Sequence, residues 1–146
     1  MKVDETIRFE RPSEPMSTTE KITVNVNAVD LGYIDYFVSE GHYATRTEFI
    51  KTAIKAQLDK HEIACRQFIR RSEESGGEWF IGVGSISAGE VDAHIAHKKP
   101  KKRFWCVGML VIEQDVPLEK LAQAYESIRV YGVCRAPKEI KAFYRL

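Results

Sequence analysis

The segment from Lys21 to Asn27 constrains the fold more than any other. Ile22, Val24 and Val26 alternate with Thr23, Asn25 and Asn27. β-branched residues at period two predict a half-buried strand. Two helical patterns follow, and neither gives that strand a partner. Asp30 is placed to cap a short helix through about Glu40, with Leu31, Ile34 and Val38 at helical spacing. Gly41 ends it, because glycine enters the left-handed region without a steric cost. Thr45, Arg46, Thr47 and Glu48 then form a capping box, in which the threonine hydroxyl and the glutamate carboxylate serve each other's backbone donors. Phe49, Ile50, Ala53, Ile54, Leu58, Ala64, Cys65, Phe68 and Ile69 carry an apolar stripe along the second helix to about Arg71.

One strand and two helices in about 50 residues bury too little surface to be stable alone. A lone strand also leaves both edges unpaired. Both difficulties vanish if two copies pair the strand antiparallel and pack their helices together as an intertwined, obligate dimer. Ile22, Val24, Val26, Ile34, Val38, Ile50 and Ile54 then form a shared dimer core. Lys21, Thr23 and Asn25 face outward from each strand. A two-stranded ribbon has the width of the DNA major groove, where Asn bonds adenine at two points, Lys reaches guanine acceptors and Thr serves several partners. A solvated strand face is the plainer reading of the same three residues. The helix pair in register behind them favours DNA.

These residues resemble the ribbon-helix-helix regulators of the Arc/MetJ/CopG class, in a proteobacterial branch with a C-terminal extension. The resemblance covers about residues 20 to 62, and its most specific elements are Gly41 with Tyr43 and the helix start Thr45 to Glu48. It implies a cytoplasmic homodimer that binds double-stranded DNA, with the start of the second helix on a phosphate. Thr45, Arg46 and Thr47 are the phosphate-binding residues it points to. Free amides, the helix dipole and the Arg46 cation all favour an anion there. The chain departs from the pattern at Asn25, where many relatives have arginine, and near Asn27, where many have proline. Losing that cation reduces the salt-dependent part of affinity.

The chain has 146 residues and a net charge of +1, with 44% hydrophobic and 29% charged residues. That fits one ordinary soluble domain or two small ones and excludes a polybasic coat. Residues 1 to 20 hold three basic and five acidic side chains, whereas Lys21 to Arg71 hold eight and six. Residues 1 to 19 contain Pro12, Pro15 and a Ser-Thr-Thr run, and read as a flexible arm. Met16 before that run is an alternative start. Acidic residues near Met1 argue against an export signal, and no apolar run reaches the roughly 20 residues of a membrane span.

Gly76 and Gly77 mark a boundary, which divides the chain into a DNA-binding domain over residues 20 to 75 and a module over 78 to 146. In the latter, Gly84, Gly108 and Gly132 recur every 24 residues. Each lies in a strand-like stretch, Trp79 to Gly84, Phe104 to Ile112 or Ile128 to Cys134. Each stretch is followed by a helix start, at Ser87, Pro117 or Pro137. Three β-α units with parallel strands result, like a truncated solenoid. The whole chain is therefore α+β, a β-α-α dimer domain followed by a small α/β module. This module also resembles the extension of the same branch, through Val107 to Val116 and Ser127 to Val133, and the resemblance implies no ligand.

His94 and His97, with Asp92, stand at a spacing that could hold a metal. The pattern does not match that of nickel-responsive relatives, so these read as surface histidines and no metal or other cofactor is expected. Cys65, Cys106 and Cys134 read as free thiols, the last two as small core residues. The run Lys98, Lys99, Pro100, Lys101, Lys102, Arg103 reads as a solvated loop, with a phosphate or acidic partner as the sharper alternative. No catalytic constellation is present, so the chain does not read as an enzyme. The expected function is a transcriptional repressor, a homodimer that could pair further. One rival is an antitoxin whose C-terminal module binds a toxin protein. Another is a scaffold with a vestigial DNA face.

Overall fold

The computed structural model describes residues 17–146. Most of the expected arm over residues 1 to 19, including the alternative start at Met16, lies outside the described residues. The described chain is mixed α and β, with six helices and a three-stranded parallel sheet. It divides into two units, one of them Glu20–Arg70 and the other containing Arg71–Leu146.

In the first unit, α1 (Ala28–Ser39) starts at Asn27 rather than Asp30. The Asn27 side-chain oxygen accepts the Asp30 amide at 2.9 Å, and Asp30 becomes an acidic residue of the first turn, favoured by the helix dipole. Gly41, at φ +78°, ends α1 as expected. The Gly41 amide donates to the Val38 carbonyl and the His42 amide to Phe37, which satisfies the last turn. α2 (Arg46–Lys60) is capped by Thr45, whose hydroxyl accepts the Glu48 amide at 3.1 Å. The reciprocal half differs from expectation, because the Glu48 carboxylate accepts the Ala44 amide at 2.6 Å, one residue before the cap. The second helix also does not run unbroken to Arg71. It stops at His61, and α3 (Glu62–Glu74) follows. The His61 amide folds back onto Leu58 and its carbonyl accepts from Cys65, so the break spans a single residue and leaves the apolar pattern intact. Phe37 of α1 stacks on Phe49 of α2 at 6.2 Å, with Tyr43 edge-on to Phe49 at 5.0 Å.

In the second unit, strands β1 (Gly77–Ile86), β2 (Lys102–Ile112) and β3 (Tyr125–Arg135) pair in parallel in the order β1-β2-β3. α4 (Ala88–Ala96), α5 (Leu118–Ala124) and α6 (Lys138–Tyr144) follow them in turn. The three β-α units are therefore present, with longer strands than the sequence suggested. Ser87 caps α4 in a two-way capping box with Glu90. Pro117 and Pro137 stand one position earlier than the first turn, as cap residues without a side-chain bond.

The repeat of glycines is real, but its first member is Gly82, not Gly84. Gly82, Gly108 and Gly132 lie side by side in register. All three have positive φ, at +139°, +134° and +129°. A Cβ on Gly108 would fall onto the Gly82 carbonyl oxygen, and one on Gly132 onto that of Gly108. The register pairs Gly84 with Leu110 instead. Equal spacing in sequence misled because the first unit is two residues longer than the second.

Phe104, Cys106, Leu110 and Ile112 occupy alternate positions of β2 and lie in one core with Ile86 of β1 and Ile128 of β3. Val91, Leu121, Ala124 and Ile140 of the helices complete it. Burial pushes the Cys106 thiol up to about 11, as expected of a core cysteine. The Tyr144 hydroxyl donates to the Tyr125 carbonyl at 2.9 Å, tying the last helix to β3.

Candidate nucleic-acid interface

Lys21, Thr23 and Asn25 lie on a segment before α1 that is assigned no strand in the single chain. A strand needs a neighbour for its ladder, and among the described residues this segment pairs with none. The alternating apolar residues of the same segment are exposed, Ile22 by 79% and Val24 by 72%, and Val26 is exposed too. The three outward candidates are exposed as well. Of the other expected core residues, Ile34 is buried, Val38 is half-buried, and Ile50 and Ile54 are exposed. A single chain thus leaves most of the expected dimer core in solvent.

The start of α2 holds the second group. Thr45 is engaged as the helix cap. Arg46 and Thr47 are the first two residues of the helix, where backbone amides have no partner within the helix. The Arg46 guanidinium is paired in the single chain. Its Nε and Nη2 donate to the two Asp35 carboxylate oxygens at 2.6 and 2.7 Å. The Arg46 bonds hold the Asp35 carboxyl below its ordinary range, and Asp35 raises Arg46 in turn. Both groups stay solvent-exposed, so the pair sits at the surface beside the helix start.

A family model described as the Ribbon-Helix-Helix transcriptional regulator family matches residues 17–141. The chain belongs to that family. Ribbon-helix-helix regulators bind DNA, typically as dimers, so DNA-binding regulation follows from membership. No curated protein and no solved structure matches this chain. In this ribbon-helix-helix protein the match reaches beyond the first unit and takes in all three strands of the second.

Two polar residues of the first unit escaped the sequence reading. Asp35 is separated from Arg46 by 11 positions, a separation with no local signal. Asn27 alternates with the apolar residues as a strand residue would, which hid its role as a cap. Its Asn-x-x-Asp spacing to Asp30 is the signal that could have revealed it. His94 and His97 each place a ring nitrogen against a backbone carbonyl, of Pro100 at 3.0 Å and Ala93 at 2.6 Å. Among the described residues no cluster of three His, Cys, Asp or Glu side chains is placed to hold a metal, and no helix is long and apolar enough to cross a membrane.

Proposed function

We propose that this protein is a cytoplasmic transcriptional repressor that inserts a two-stranded antiparallel β-ribbon into the DNA major groove as a homodimer. The exposure of Ile22, Val24, Val26, Ile50 and Ile54 in one chain carries this reading. Single exposed apolar residues are ordinary, but an alternating exposed run together with exposed Ile50 and Ile54 of α2 is what an unpaired half of an obligate dimer presents. Pairing two Lys21 to Asn27 segments removes that surface from water and satisfies both strand edges. It also sets Lys21, Thr23 and Asn25 on the outer face, where they read base edges.

Thr45, Arg46 and Thr47 dock the second helix on a phosphate, with Asp35 holding the guanidinium at the surface until DNA competes for it. Repression follows by occlusion of a short, palindrome-like operator. Residues 20 to 75 form the DNA-binding domain and residues 78 to 146 the module that extends it. The module pairs dimers or receives a protein partner. Ile81, Val107 and Tyr131 are adjacent in register and exposed, and parallel sheets are normally covered on both faces. An antitoxin role is less well supported, because toxin-binding tails commonly fold on their partner, whereas this module has its own buried core.

Selection of bound fragments from randomised duplexes tests the function directly. The expected result is a short two-fold-symmetric consensus. Recovery of fragments with no shared sequence would count against base reading by the ribbon.

A further inference from the structure

The loop between α4 and β2 is unusually basic for a chain of net charge +1. Residues 94 to 103 include His94, His97, Lys98, Lys99, Lys101, Lys102 and Arg103, with no acidic residue. Two of these cations are engaged nearby. Lys102 pairs with Glu78 at 2.9 Å, and Arg103 donates to the Ser75 carbonyl. Lys98, Lys99 and Lys101 are exposed, and none forms an ion pair among the described residues.

The loop is also held in one shape. Pro100 stiffens it, and its carbonyl accepts from His94 at 3.0 Å. The Lys98 amide donates to Ile95 at 2.9 Å and the Lys99 amide to His94 at 3.5 Å, closing the end of α4. Lys98 has φ +50°. After α1 and α3 the chain fills the left-handed position with Gly41 and Gly76, which meet no steric cost there. After α4 it uses a lysine, which does. One cation suffices to complement the end of α4, which presents roughly half an elementary charge, so that role leaves the remaining lysines of the loop without a partner.

We infer that Lys98, Lys99 and Lys101 form a second contact to the DNA backbone, made by the C-terminal module on phosphates outside the ribbon's own site. This rests on the DNA-binding reading. Lysines on long stems meet phosphate oxygens as point charges and need no two-point geometry. A regulator held on DNA by its ribbon brings this loop to a polyanion at high effective concentration. The loop thus adds affinity without adding sequence preference.

The full chain carrying Lys98→Gln, Lys99→Gln and Lys101→Gln tests this against the native protein, by titrating salt with a mixed-sequence duplex about 40 base pairs long. The slope of log affinity on log salt should become shallower by about 0.9 for each phosphate no longer neutralised. Affinity near physiological salt should fall by about tenfold or more. A second variant, Lys98→Gly, should melt at or above the native temperature and still lose part of the slope, separating charge from folding. Native slope and affinity in both variants would overturn the proposal and leave the loop to an acidic protein partner. A native protein without salt-dependent DNA affinity would instead overturn the DNA-binding reading on which the proposal stands.

Discussion

Arg46, the first residue of α2, is joined to Asp35 of α1 at two points, Nε to Oδ1 at 2.6 Å and Nη2 to Oδ2 at 2.7 Å. The carboxylate neutralises the cation at the helix end expected to meet phosphate. Asp35→Ala should therefore raise affinity for mixed-sequence DNA several-fold and leave the melting temperature nearly unchanged, since exposed ion pairs contribute little to stability. Arg46→Ala should lower the same affinity. If both variants weaken binding equally, the pair acts as one positioning unit and Asp35 does not compete with DNA.

Val24→Asp tests the shared core. A charge placed in the paired ribbon should cost at least about 3 kcal/mol and leave monomer or unfolded chain. Sedimentation and thermal melting read both effects. A folded V24D dimer with native melting would mean that Val24 does not face a partner.

Asn25→Ala separates base reading from backbone binding. Operator preference should fall by roughly 1–3 kcal/mol for each base that Asn25 bonds, with a smaller effect on random DNA. Equal losses on both duplexes would show that Asn25 does not read sequence.

The glycine ladder makes an opposite-sign pair of predictions. Gly108→Ala drives a Cβ into the Gly82 carbonyl at a positive φ and should destabilise the second unit by on the order of 3 kcal/mol. Gly89→Ala, near the start of α4 with open space around it, should stabilise by about 0.5–1 kcal/mol. Calorimetry on the full chain distinguishes them, and a harmless G108A would refute the register.

Alkali should unfold the second unit in a defined window. Burial raises the Cys106 thiol from 9.0 to about 11 and the Tyr144 phenol from 10.0 to about 12. A raised folded-state value means stability is full below pH 9 and falls progressively between pH 9 and 12 as these groups ionise more readily in the unfolded chain. Cys106→Ala should lower the melting temperature at neutral pH through the cavity it leaves, yet flatten the decline between pH 9 and 11. An unchanged alkaline profile in C106A would remove the thiol as a cause.

Local chemistry was legible from residue types alone. Gly41 ends α1, Thr45 and Ser87 cap their helices, and three β-α units begin at the Gly76 and Gly77 pair, because each signal acts within a few residues along the chain. The alternation at Ile22, Val24 and Val26 likewise set the expectation of a partner strand, and all three side chains are exposed in the single chain. Distance and register lay beyond it. Asp35 reaches Arg46 only once α1 and α2 have packed. Gly82, rather than Gly84, joins the ladder only when β1 has settled beside β2. A sequence specifies which backbone groups want partners nearby, whereas the identity of a partner far along the chain depends on packing that fixes all the elements of a unit together.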